Sequence, residues 1–234
     1  MCTVIVHVPE SADEPTRVLA VRDEDPARAW DPLGTWWPDL PHVSGVRDTR
    51  AGGAWLAADT DAGRLAVVLN RADLLPEAEA TGSRGHIVLD AVAGRGVPER
   101  PATHGFNLVD VADGHTRVHH WDGSEVRTVE LGPGMHMIAH GDVDDPETAR
   151  IAAWRGAFGV PGDGDDWWRP WLDALEDTTR MPPTDDRAII RDNRPHGYPT
   201  LSLLVCAASV SRSGADVRYG ELAEPGAWSP LTLR

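Results

Sequence analysis

Lysine is absent from this 234-residue chain: all 22 of its basic residues are arginine. Asparagine appears only as Asn70, Asn107 and Asn193, while Ala, Gly, Asp and Arg dominate, the bias of a GC-rich bacterial genome. Against 37 acidic residues the formal net charge is −15, and no run is rich in basic residues. Binding nucleic acid or an anionic membrane through a basic patch is therefore disfavoured. Cysteine is nearly absent too. Cys2 and Cys206 are the only two, which excludes a disulfide scaffold and any Cys-based metal site of the usual spacing. No stretch approaches the roughly 20 apolar residues that span a bilayer. The opening MCTVIVHVPESADEP lacks the positive region and apolar run of a signal peptide. No glycine-rich phosphate loop of the GxGxxG or Walker type follows a predicted strand. These absences set the expectation of a soluble cytoplasmic protein with no metal and no cofactor.

What is present fits one large domain over residues 1–234 with ample core. Cys2 to Val8 and Arg17 to Val21 read as two short strands around a turn-rich link. Pro26 to Arg50, with three Trp and three of its prolines inside, reads as an irregular excursion. Ala54 to Ala58 and Arg64 to Leu69 form a hairpin; Ser83 caps a helix through about Ala93, which Gly94 ends. Asp113-Gly114 and Asp122-Gly123 separate three further strands, since Asp-Gly is a strong short hairpin signal. Met135 to Ala139 is another short strand. Helices are expected from Asp145, with Pro146 at the first position, and over Asp166 to Leu175, interrupted by Pro170. Leu201 to Val210 is an almost continuous apolar run of strand length, the kind buried on both faces, and Asp216 to Glu221 pairs back on it. Strands at both ends with helices between them suit layered α+β better than a doubly wound sheet.

Cys2 carries the chemistry. Methionine aminopeptidase removes Met1 readily ahead of a small residue, which leaves a thiol and a free α-amino group on one residue. The amine titrates at about 7.7–8.0, so near neutral pH it can accept the thiol proton and activate sulfur for acyl transfer. Read alone, Cys2 is more readily an ordinary small buried hydrophobe, and the catalytic reading depends on the rest of the chain.

In order along the chain come Met1-Cys2-Thr3, Arg22-Asp23-Glu24, Gly52-Gly53-Ala54-Trp55-Leu56-Ala57, Gly63-Arg64, Leu69-Asn70 and Ser83-Arg84-Gly85. Phe106-Asn107-Leu108, Gly132-Pro133-Gly134 and Tyr198-Pro199-Thr200-Leu201-Ser202 follow. In this the chain resembles the NRDE family, also called the transport and Golgi organisation protein 2 family. The resemblance implies a four-layer αββα sandwich of the N-terminal nucleophile (Ntn) hydrolase type. It also implies kinship with N-terminal cysteine enzymes that cleave non-peptide amide bonds. Two departures stand out: the Asn that gives the family its first letter is Val21 here, and Ile138-Ala139-His140 stands where the family has Leu-Ser-Asn.

On this reading Cys2 is the nucleophile of a thiol-dependent amide hydrolysis that passes through a thioester. Asn70 is the candidate oxyanion donor. Arg22 places a positive charge beside the sulfur, Asp23 orients the α-amino group, and His140 replaces the missing Asn as donor or proton carrier. Each has a plainer reading: a charged loop for Arg22 and Asp23, a turn cap for Asn70, a satisfied histidine for His140. Ten tryptophans nominate Trp36, Trp37, Trp55, Trp167 and Trp168 as lining for an apolar or planar small-molecule substrate; the alternative is that they pack the long excursions onto the domain. A second function class is a non-catalytic carrier of a hydrophobic or haem-like ligand, suggested by His119-His120 and by His136 and His140 beside Met135 and Met137. Strand spacing sets His136 and His140 far apart for one metal. The oligomeric state is open, a homo-oligomer included.

Overall fold

The computed structural model describes residues 2–11, 13–76 and 79–234. Twelve strands form two antiparallel sheets, and three α-helices cover their outer faces. The first sheet has five strands in the order β10 (Gly134–Ile138), β1 (Thr3–Val8), β2 (Thr16–Glu24), β11 (Leu201–Ser211) and β12 (Gly214–Glu221). The second has seven in sequence order: β3 (Trp30–Gly34), β4 (Val43–Asp48), β5 (Ala54–Asp59), β6 (Arg64–Asn70), β7 (Phe106–Ala112), β8 (His115–Trp121) and β9 (Val126–Glu130).

Alternation of side chains along each strand feeds three apolar layers. Between the sheets pack Val4, Val6, Val18, Ala20, Leu65, Val67, Val109, Leu204 and Cys206. The intervening residues Ile5, Leu19, Val21, Val205 and Ala207 point the other way, against α3 (Arg169–Thr178) and the Trp167, Trp168, Trp171 cluster. On the far side Ala57, Ala66, Val68 and Leu108 meet Ile87, Val88 and Ala91 of α1 (Arg84–Val92). Burial on both faces explains why β1 and β11 are nearly continuous apolar runs instead of alternating ones. The layering is the αββα order of the Ntn-hydrolase fold.

Three local expectations need correction. The stretch over Pro26 to Arg50 is not irregular, because β3 and β4 form the edge of the seven-stranded sheet. Pro32 sits in the edge strand, where a missing N–H costs no ladder bond, and the pairing slips between Asp31 and Gly34. The helix expected from Asp145 begins instead at Ala149 (α2, Ala149–Trp154), with Thr148 at the N-cap position but no cap bond from its side chain. The Asp145 carboxylate closes a turn ahead of it, accepting from the Glu147 N–H and the Thr148 hydroxyl, both at 2.9 Å. Pro170 does not interrupt α3; it lies in the first turn, which loses nothing by the absent donor. Among the described residues, no helix is long and apolar enough to cross a membrane.

Candidate active site

β1 lies between β2 and β10, so its first residue is flanked on both sides. The register pairs Thr3 with Val21; carried one residue further, it sets Cys2 beside Arg22. The other register ends where Val4 pairs with Ile138, which leaves His140 two residues past the last pair on that side. The Cys2 thiol is buried and donates to the Asp23 carbonyl at 3.6 Å. Met1, whose removal the amine chemistry requires, lies outside the described residues.

Alternation along β2 then sends Arg22 and Asp23 to opposite faces. Arg22 enters the space between the sheets, with its guanidinium 4.5 Å from the centre of the Trp55 ring. It donates to the Glu24 carboxylate at 2.7 Å and to the Val68 carbonyl at 3.3 Å. Burial works against its charge, but Cys2 and Glu24 outweigh burial and raise its pKa above the usual value. Asp23 points into the opposite layer, where its carboxylate accepts from Ser202 Oγ at 2.5 Å and Asn193 Nδ2 at 3.4 Å. Asn193 Oδ1 in turn accepts from Arg191 Nε at 2.9 Å. Next to them Arg150, almost wholly buried, donates to Thr3 Oγ1 at 3.1 Å, and burial brings its pKa down to about 10.

His140 lies just past β10. Burial first, then the Arg150 and Arg191 charges, lower its pKa, so its ring is neutral at pH 7, and its buried Nδ1 has no partner among the described residues. The segment that carries it is pinned by Asn107. This fully buried side chain on β7 donates to the carbonyls of Ala139 at 2.9 Å and Gly141 at 2.7 Å, straddling His140. Its own oxygen pairs with His120 Nδ1 at 2.7 Å and accepts from Arg71 at 3.3 Å.

Burial, helped by the Arg127 charge, takes the His120 pKa down to about 4. The neutral ring donates from Nδ1 and leaves Nε2 bare, which suits the lack of any partner for that atom among the described residues. Unfolded, the ring titrates near 6.5. Stability due to the neutral form is therefore complete above that pH and is lost as pH falls from 6.5 toward 4, about 2 kcal/mol by pH 5. The thermal midpoint is expected to fall by about 5 °C between pH 7 and pH 5, and His120→Asn to flatten that slope. Equal slopes in the two proteins would contradict the assignment.

An open cavity of about 530 Å³ lies at the ends of β2, β5 and β6 and the start of α1. Half-buried Asn70, opposite Phe106 at the end of β6, lines it with Arg22, Trp55 and Val68. Those last three also line an apolar slot of about 20 Å³ that contains Cys2 and Cys206, so the Arg22–Trp55 stack partitions the thiol from the cavity. The start of α1 reaches the cavity because Gly53 and Gly85 pack backbone to backbone; a Cβ on Gly53 would sit 2.5 Å from the Gly85 carbonyl carbon.

The structure thus gathers Cys2, Arg22, Asp23 and His140 around one strand end, with Asn70 and Trp55 on the adjoining cavity. It does not bring the other tryptophans there. Trp36 lies under Arg47 and donates to the Pro32 carbonyl at 2.8 Å; Trp37 donates to the Gly52 carbonyl at 2.8 Å and packs on the outer face of the seven-stranded sheet. Trp167 and Trp168 are buried in the outer layer of the five-stranded sheet. Sequence reasoning assigned no role to Asn107, Arg150, Arg191 or Asn193. The scarcity of asparagine was the available signal, for two of the three turn out to be buried and multiply bonded.

No curated protein matches the chain in sequence. Among solved structures, the Caenorhabditis elegans N-acylethanolamine-hydrolyzing acid amidase ortholog is similar over 92% of this chain and 99% of its own, with a TM-score of 0.55 and 10% identity. At that identity the likeness establishes the fold. The model of the family described as Transport and Golgi organisation 2 matches residues 1–152. That span runs from the cysteine strand through both of its flanking partners to the start of α2, and the chain belongs to the Transport and Golgi organisation 2 family.

Proposed function

We propose that residues 1–234 act as one N-terminal cysteine amidohydrolase domain that cleaves a non-peptide C–N amide bond of a small molecule. The observation that carries this reading is the position of Cys2, at the start of a central strand, flanked by Arg22 and His140, one partition away from an open cavity. Once Met1 is removed, the Cys2 amine takes the thiol proton and Asp23, held by Ser202 and Asn193, orients it. Sulfur attacks the amide carbonyl carbon and the carbonyl electrons move to oxygen; Asn70 is the side-chain donor to that oxyanion. Collapse expels the amine, which leaves with the proton, and a thioester remains. Water then cleaves the thioester, releasing the acid and restoring the thiol. Neutral His140 relays a proton in either half.

A carrier of an apolar or haem-like ligand draws less support. Both His136 ring nitrogens are engaged, Nδ1 with Asp144 and Nε2 with the Gly132 carbonyl, each at 2.8 Å. The apolar slot is too small for such a ligand.

Intact mass before and after brief exposure to iodoacetamide at neutral pH tests the proposal. Burial pushes the Cys206 thiol up to about 12, so it stays protonated and inert. The expected result is a protein lacking Met1, alkylated at Cys2 and unmodified at Cys206. Retained Met1 would end the free-amine mechanism.

A further inference from the structure

The protein is strongly acidic, yet its main cavity is not. Four guanidinium groups, from Arg22, Arg28, Arg50 and Arg84, face it against two carboxylates, from Glu24 and Asp48. Those carboxylates are already taken: Glu24 holds Arg22 at 2.7 Å and Asp48 holds Arg28 at 2.5 Å. Among the described residues, neither Arg84 nor Arg50 is paired with a carboxylate. Arg84 is half-buried, and it donates to an uncharged partner, the Gly105 carbonyl at 3.1 Å. Burial first, and then the Arg22 charge, destabilise its cation; Glu24, Cys2 and Asp73 offset part of this without touching it. A partly desolvated cation with no carboxylate in contact is costly, and an anion bound directly to it would lower that cost. The N-terminus of α1, whose Ser83 and Gly85 also line the cavity, adds a favourable dipole for negative charge.

We infer that the cavity holds an anionic group of the substrate, a carboxylate or a phosphate, on Arg84 and Arg50, so that the amides cleaved are ones with an acidic substituent. This rests on the amidohydrolase reading for the word "cleaved", but not for the binding. The apolar slot beside Cys2 has room for little more than one small group, which leaves the polar cavity to take the bulk of the molecule.

Calorimetric titration with N-acetylglycine, its neutral carboxamide and inorganic phosphate tests the binding directly. The expected result is heat from at least one of the two anions and none from the carboxamide. Arg84→Met is expected to weaken that binding about tenfold or more, the weight of one charge-assisted hydrogen bond. Arg50→Met, at an exposed site that the fold does not need, is expected to weaken it by a smaller factor. N-acetylglycine binding alone identifies a carboxylate ligand, phosphate binding alone a phosphoryl one. Equal binding of the carboxamide, no binding of either anion, or affinity unchanged in both variants would overturn the inference.

Alkylation separates this from failure of the catalytic reading. Iodoacetate and iodoacetamide share a leaving group and differ in charge. Relative to free cysteine, the ratio of their rates at Cys2 is expected to favour iodoacetate and to drop in Arg84→Met. Anion binding with a Cys2 that neither reagent labels would retain the site and reject the nucleophile.

Discussion

Cys2→Ala is expected to abolish amide hydrolysis, with a loss of about 10³-fold or more, because sulfur is the atom proposed to bond to the substrate and no neighbour can replace it. The fold should survive the change. Alanine removes one weak hydrogen bond, to the Asp23 carbonyl, and enlarges a slot that is already apolar. A loss of about 1 kcal/mol is the expected cost, and alanine is small enough for Met1 still to be cleaved. Cys2→Ser separates two roles that alanine merges. It keeps a group that can attack, at a far lower rate, and keeps the amine that would take its proton. Rapid-quench mass spectrometry with a turned-over amide should show an acyl adduct on Cys2 in the wild type, lost on treatment with hydroxylamine. Undiminished turnover in Cys2→Ala would remove the protein from the cysteine hydrolases.

The second large effect is on stability. Asn107→Leu keeps the branching of the side chain, with added bulk, but deprives the Ala139 and Gly141 carbonyls of their donor and leaves His120 and Arg71 without the oxygen they share. Asn107 and His120 are buried, so the expected loss is about 3–5 kcal/mol, measured by urea denaturation. Asn107→Asp should fare no better, since a carboxylate would face two carbonyl oxygens. Loss of under about 1 kcal/mol in Asn107→Leu would mean that the segment around His140 is held by something else.

The layered α+β architecture was legible from the β-branched run of β1, the Asp-Gly hairpins and the nearly continuous apolar run of β11. Edge strands were harder. β3 contains Pro32 and is only partly buried, and β4, although mostly buried, mixes glycine and charged residues into its sequence VSGVRD, so the periodic signal that reveals a central strand is absent from both. The short α2 misled for a different reason: an Asp-Pro pair looks like a helix start, but here the Asp carboxylate closes a turn one step earlier. At the site, Cys2, Arg22 and Asp23 could be nominated because they lie on one hairpin. Asn107, Asn193 and Ser202 could not, because they approach from distant strands and only register places them. The tryptophans divide along the same line. Trp55 belongs to a hairpin that packs directly against Arg22, whereas Trp167 and Trp168 follow from the packing of an outer layer that composition does not locate.

The strand that bears Cys2 has a consequence for how the protein is made. β1 is synthesised ahead of its partners: β10 arrives more than a hundred residues later, and the groups that fix Asp23 stand 170 and 179 residues away in sequence. Contacts of such span close late in folding, after much loop entropy has been given up. A chain still on the ribosome thus carries its thiol unassembled, and any product ending before Asn193 would have the cysteine without either of these partners of the aspartate. Proteolytic clipping or premature termination near the C-terminus would therefore silence the site from the opposite end of the molecule.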